Sequence, residues 1–597
     1  MRTLRHLAYS LFFLIVIAGS ALSADKLKNW RVSRIHFEGN EEISDYRLKK
    51  VMLTRTTSLF SRKKFYQAVF VEDLNSVIRY YQNQGYLEAG IVDTVVTRNS
   101  DTHKIDLEIT LDEGNRTMVE GIGIFGNVVF PDSVLQMHII LNKDDPYRQK
   151  RVADATVAML IEYANAGFLN ADIQPDVRVN SETHLALVDF HITEGTQFHI
   201  AQINHLGNDR TRPNVVDREL SFEPGDIVKR SALLKSQRQL YLTGLFQSVF
   251  IRPVPPSTGD STEKDIAIEL KENDAIELTA SVGYGTFEKA RAKLGIYFNN
   301  LYGTGRKFGI TPRISFVYRG VEASYSEPWT FGTRWRTDIN AWVDYAEEPG
   351  YHILRQGGRI SVGRSLGRYT SLTITFRNEL SKLSHVEVSP LPENLDGFVR
   401  SLKVSPVFDS RDNMFNTRRG IYLEWSNELA GSFLGGDDTF LRSIWRGKWF
   451  YSLRSNTVFG TALEVGWMDH LGGSDEIPLN ERFYTGGPNS LRAIGYQLAG
   501  PLDEDGTPLG GQFKLVWNAV EIRQSIYKMI GAAAFLDVGN VWWQIRDFQL
   551  REMRLAPGFG LRVNTPIGIV RGDVGFNVDA RSGEDKVQFF FNVGQTF

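Results

Sequence analysis

From Ile276 to Phe597 apolar and polar residues alternate with a period of two, which predicts strands that present one side to a hydrophobic medium and the other to polar groups. In IELTASVGYG, Ile276, Leu278, Ala280, Val282 and Tyr284 share a face opposite Glu277, Thr279, Ser281 and Gly283. WRTDINAWVDY sets Trp335, Thr337, Ile339, Ala341, Val343 and Tyr345 against Arg336, Asp338, Asn340, Trp342 and Asp344. IVRGDVGFNVDA sets Val570, Val574, Phe576 and Val578 against Arg571, Asp573, Asn577 and Asp579. Such stretches number about sixteen, an even count suited to an up-and-down barrel. Trp329, Trp335, Trp425, Trp445, Trp449, Trp467, Trp542 and Trp543 supply aromatics for its interfacial girdles.

The first half is patterned differently. Strands closing on Gly-Asn recur three times, IHFEGN ending at Asn40, IGIFGN at Asn127 and INHLGN at Asn208. Each is followed by a helix stopped at a glycine (Gly85, Gly167, Gly244) and then by an alternating strand, LEITLDEG, VDFHITEG or IAIELKEN. In VEDLNSVIRYYQNQGY, Leu74, Val77, Ile78 and Tyr81 fall at helical spacing for one buried face. The order is strand, helix, helix, strand, strand, with a period of roughly 80 residues that lets each unit fold alone. The run GIGIFG has the glycine spacing of a dinucleotide fingerprint, but NVVFP follows where a helix must open, which argues against a nucleotide site.

Composition narrows the field. The chain has 597 residues, too many for one core, and a formal net charge of -2, which gives no electrostatic reason to expect nucleic acid. With 12% aromatics, 53 glycines and only 20 prolines it leans toward β-structure with many tight turns. Cysteine is absent, which excludes disulfides, thiolate metal sites and cysteine nucleophiles. The 11 histidines form no HExxH pair, and no metal or cofactor is expected. GRSLG, Gly363 to Gly367, matches the nucleophile elbow of serine hydrolases, but the strand-like RYTSLTITF follows instead of a helix, so a hairpin turn is expected and no enzyme. Residues 1–24 have a basic start, an apolar run and small residues at Ala21, Ser23 and Ala24, as a signal peptide does. No long apolar segment follows it, so only a closed barrel could carry the rest of the chain through a bilayer.

One stretch is too irregular for a strand: RFYTGGPNSLRAIGYQLAGP, residues 482–501, which carries Arg492 among glycines. If this loop folds into a polar lumen, its guanidinium requires acidic partners, because an unpaired buried charge is costly. Glu521 in WNAVEIRQ and Asp537 in AAFLDVGNVWW are the candidates. The last strand, VQFFFNVGQTF, aligns Val587, Phe589, Phe591, Val593 and Phe597 on one face, with Gly594 weakening the pairing near its end.

These residues carry a resemblance. The three repeats resemble POTRA domains, here 31–114, 115–195 and 196–273, and residues 274–597 resemble the barrel of the BamA/TamA superfamily of outer-membrane assembly proteins. In that family the arginine of the sixth extracellular loop docks on an acidic residue of the thirteenth strand and on the Asp of an F-x-D-x-G motif in the fourteenth. The resemblance assigns the loop anchor to Arg492 with Gly486, Gly487, Ser490, Leu491, Gly495 and Tyr496. It assigns the docking wall to Glu521, Arg523, Phe535, Asp537 and Gly539. PVFDSRDNMFNTRRG, with Asp409, Arg411 and Asp412, is also similar to a family segment. LRAIGY departs from the family pattern, in which glycine and an aromatic directly follow the arginine, by inserting Ala493 and Ile494.

The resemblance further implies a weak seam between the first and last strands, here Ile276, Leu278, Ala280 and Val282 facing Phe589, Phe591, Val593, Gly594 and Phe597. It implies barrel location in a bacterial outer membrane with periplasmic repeats, and nascent outer-membrane proteins and the lipid bilayer as partners. A small-molecule substrate is not among them. Three repeats favour a TamA-like protein with a TamB-like periplasm-spanning partner. The alternatives are a BamA-like core insertase and a secretion pore exporting one dedicated partner; a barrel lipase is a further one.

Overall fold

A computed structural model describes residues 30–57, 64–392, 394–472, 476–565 and 568–593. The signal-peptide expectation at 1–24, and Gly594 and Phe597 of the seam, lie outside the described residues.

The first repeat has strands Arg31–Glu38, Gly90–Asn99 and Lys104–Asp112 with helices Asp45–Val51 and Gln67–Gln82. Its sheet places the last strand centrally, parallel to the first and antiparallel to the second, and the other two repeats share this order. Leu74, Val77 and Tyr81 are buried against the sheet, with Ile78 half-buried beside them, as the helical spacing predicts. The Gly-Asn corner recurs for a steric reason. Gly39, Gly126 and Gly207 have φ of +80°, +84° and +82°, and a Cβ on each would strike the carbonyl of Leu111, Ile192 or Leu270. The following asparagine then donates from Nδ2 to a backbone carbonyl three residues on, at 2.9, 2.9 and 3.1 Å. Sequence reading missed a third member of this device, the glutamate closing each unit. Glu113, Glu194 and Glu272 accept the backbone N–H groups exposed just beyond the corner. Tyr81 and Tyr163 donate their hydroxyls to the first two, at 2.7 and 2.8 Å.

The second half is one antiparallel sheet of sixteen strands in chain order, from Ile276–Gly285 to Val587–Val593, nearly closed into a barrel. Its outward face is apolar: Leu278, Val282, Ile339, Val343 and Phe589 are exposed, whereas Asp344, Arg571 and Asp573 are buried within. One rim has mostly short turns and the other carries the long loops 471–512, 543–553 and 577–586, the asymmetry of outer-membrane barrels. GRSLG closes the strand Tyr351–Ser365 and enters a hairpin turn to Thr370–Ser384. Trp542 departs from the girdle expectation. It is buried under Phe513 and Phe548 and donates its indole N–H to Glu552 at 2.9 Å, because loop 543–553 folds over it.

Candidate functional site

Loop 471–512 joins the eleventh strand, Thr457–His470, to the twelfth, Phe513–Tyr527. It returns into the barrel, where Leu491, Ala493, Ile494 and Ala499 pack on Val516 of the twelfth strand and Ala556 of the fourteenth, Arg554–Thr565. Arg492 is 0% exposed. Its Nε and Nη2 donate to the two oxygens of Asp537 at 2.7 and 2.8 Å, and its backbone N–H reaches Asp537 Oδ2 at 3.2 Å. Nη1 donates to Glu521. The guanidinium also lies 3.5 Å from the centroid of Phe535, whose ring in turn covers Gly558, where a side chain would collide with it. A planar fork that satisfies two carboxylates and stacks on an aromatic is arginine chemistry that a lysine could not reproduce.

Strand geometry explains why these groups converge. Phe535, Asp537 and Gly539 lie at a period of two on the thirteenth strand, Ile530–Trp542, and so share the inner side. The twelfth strand breaks the period with a register shift between Asn518 and Val520, which turns both Asn518 and Glu521 inward despite their odd spacing. Asn518 Nδ2 then donates to Asp537 Oδ1 and to the carbonyl of Ser490, each at 2.8 Å. The strand numbers implied by the resemblance are corrected here to twelve and thirteen. In an up-and-down barrel whose first hairpin is on the outer rim, every outer loop follows an odd strand, so the sixth follows the eleventh.

Other expected residues have separate places. Gly486 N–H donates to Ser490 Oγ at 3.0 Å and Gly487 N–H to the Ile494 carbonyl at 2.9 Å, curling the loop before the arginine. Gly486 has φ of +114°, with the Gly495 carbonyl where a side chain would stand. Tyr496 stacks on Phe287 of the first hairpin at 3.9 Å and donates to Glu348 at 3.3 Å. Arg523 does not join the loop; it lies 3.5 Å from Glu521 and over the ring of Phe450. Asp409 and Arg411 pair with each other at a short-rim turn, where Asp412 accepts the N–H of Arg418 at 3.0 Å.

Sequence reading missed the continuation of the network onto the fourteenth strand and the fifteenth, Gly568–Phe576. Arg562 and Arg571 both reach Asp573, at 2.6 and 3.1 Å. Arg571 Nη2 also donates to the Pro488 carbonyl and to Asn489 Oδ1, at 2.9 and 2.6 Å. The loop backbone presses on the fifteenth strand at Gly575, where a Cβ would meet the Arg492 carbonyl. The signal was present in the polar face of IVRGDVGF, but nothing there named its partner.

At the seam, all fifteen neighbouring pairs of strands along the sheet are joined by ladders, yet among the described residues none joins the first strand to the last. Among the described residues one bond crosses, from Phe591 N–H to Thr286 Oγ1 at 3.3 Å. Phe589 and Phe591 are exposed on the last strand, as are Ile276, Leu278, Ala280 and Val282 on the first. The loop touches both borders of this gap, through Tyr496 on Phe287 and through Asn489, 3.4 Å from Asn592.

The chain matches the Omp85 superfamily domain over residues 300–597, and the surface antigen variable number repeat, POTRA, over 30–114, 117–195 and 198–273. It is 25% identical over 584 residues to the outer membrane protein assembly factor BamA of Nitratidesulfovibrio vulgaris, covering 95% of this chain and 73% of the relative. The BamA of Neisseria meningitidis serogroup B is 23% identical over 640 residues, covering 96% and 79%. Among solved structures, BamA from Haemophilus ducreyi lacking POTRA domains 1–3 matches with a TM-score of 0.69 at 18% identity, covering 80% of this chain and 99% of that one.

Proposed function

This chain belongs to the Omp85 superfamily, and we propose that it is an outer-membrane protein assembly factor that works through its seam. The barrel lies in the outer membrane, the repeats lie in the periplasm, and the clients are nascent outer-membrane proteins entering the bilayer. The observation that carries this reading is that, among the described residues, no ladder joins Ile276–Gly285 to Val587–Val593. A strand entering lipid exposes amides and carbonyls whose burial without partners costs several kcal/mol each, on the order of 2–7. A main-chain edge already within the membrane gives them a partner by strand addition, with little demand on sequence. The client grows from that edge while its own free edge stays paired.

This work makes and breaks hydrogen bonds alone, so we read the protein as a non-enzymatic factor. Its relatives carry the BamA name, which favours a BamA-like core insertase over the TamA-like form expected from three repeats. A TamB-like periplasm-spanning partner enters only with the TamA-like form.

The test exploits the absence of native cysteine. A cysteine pair placed across the first and last strands blocks client insertion into lipid vesicles when oxidised, and reductant restores it. Insertion that proceeds at the same rate through the oxidised barrel overturns the seam reading.

A further inference from the structure

A second charge cluster lies at the foot of the same loop, on the other side of the lumen. Glu481 ends the short helical turn Leu479–Glu481 and is 4% exposed. Its carboxylate accepts Arg377 Nη1 and Nη2 at 3.0 and 3.2 Å and Arg442 Nη1 at 2.9 Å. The same Arg442 nitrogen reaches the Glu481 carbonyl at 3.2 Å. Arg377 stands on the seventh strand, Thr370–Ser384, and Arg442 on the tenth, Phe440–Arg454. Both also pair with Glu428 of the ninth strand, Gly420–Ala430, which Ser401 holds at 2.6 Å. Apolar neighbours seat the foot. Leu479 packs among Tyr351, Ile353 and Leu383, and Ile477 among Val399 and Phe440.

The two ends of the loop are therefore held by opposite arrangements. At the tip one loop cation sits between two wall carboxylates, and at the foot one loop carboxylate sits between two wall guanidiniums. Exchanging the ends would set Arg492 against Arg377 and Arg442, and Glu481 against Glu521 and Asp537. Strands seven to ten lie half the barrel away from the seam in strand order, while the tip holds strands twelve, thirteen and fifteen, which lie between them and the seam.

We propose that Glu481 is a positioning residue, the second clasp of a strap that ties the seam-side wall to the far wall and presents Arg492 in register. Without the foot clasp the tip still finds Asp537, but from a loop free to leave it more often. This inference concerns the docking of the loop and does not depend on the assembly reading.

The experiment uses the full chain in lipid nanodiscs with Ala499→Cys as its one thiol, since Ala499 is 1% exposed within the docked tip and the chain has no native cysteine. A membrane-impermeant maleimide reads how often the tip is released. Glu481→Gln raises the labelling rate about tenfold, as expected when local opening limits access. Glu481→Asp, which keeps the charge, returns part of the protection, and the heat-modifiable electrophoretic mobility of the barrel is unchanged. Labelling of the Glu481→Gln protein at the parent rate overturns the proposal. If that variant yields no folded barrel, the Glu481→Gln/Arg377→Gln pair, which removes one charge of each sign, is read by the same criterion.

Discussion

Replacing Arg492 by alanine is the most informative perturbation of the lumen. The side chain makes three donations to two carboxylates that are 0% and 1% exposed, and it stacks on Phe535. Deleting it removes those bonds and leaves both acids buried. Asp537 then retains Asn518 at 2.8 Å and the backbone N–H of residue 492 at 3.2 Å, and among the described residues Glu521 retains the distant Arg523 and Arg562, at 3.5 and 3.9 Å. Breaking a buried ion pair from one side costs about 3–5 kcal/mol. At about 1.4 kcal/mol per decade, even the lower figure multiplies the undocked population by more than about 100. Hydrogen exchange of the full-length protein measures this directly. The amides of positions 487 and 492, bonded to the Ile494 carbonyl and to Asp537, lose protection by about that factor, while the strand amides keep theirs. Arg492→Lys falls between, because one ammonium cannot replace a fork that engages both acids. A triple variant, Arg492→Ala/Glu521→Gln/Asp537→Asn, recovers part of the loss, since it no longer buries orphaned charge. Unchanged protection across 486–500 in Arg492→Ala, or a triple variant worse than the single one, would refute the reasoning.

Gly575→Ala sets a methyl against the Arg492 carbonyl and undocks the tip without touching a charge, at a cost of about 1–3 kcal/mol read by the same exchange measurement. Gly126→Ala strains a φ of +84° and strikes the Ile192 carbonyl, so the second repeat loses about 1–2 kcal/mol in urea denaturation while the other two keep their midpoints. Burial raises the Glu194 and Glu272 carboxyls, but hydrogen bonds outweigh it and hold both below the ordinary value, from Val129, Tyr163 and Val128 in one case and Thr211 and Arg210 in the other. Their contribution is thus complete above about pH 4.3 and is lost as pH falls through the depressed folded values. Denaturant midpoints of the second and third repeats that stay constant below pH 4 would contradict this.

Local geometry explains what could be read without coordinates. A period of two follows from backbone pleating alone, so Ile276 to Phe597 declared its strands and Asp537 its inward side before any neighbour was known. The same holds for the repeats, where positive φ at Gly39, Gly126 and Gly207 is a demand of the corner itself. Arg492 was legible because a cation set among the glycines of a loop that enters the lumen needs acids, and few acids stood on inward positions nearby. Closure of the cylinder decided the rest. The bulge beyond Asn518 that turns Glu521 to the same side, and the meeting of Glu481 with Arg377 across 104 residues, depend on which strands face one another across the lumen. So do the aim of Arg571 at Asn489 and the burial of Trp542. Alternation assigns each side chain a face; register and barrel closure, set by every strand together, assign it a partner.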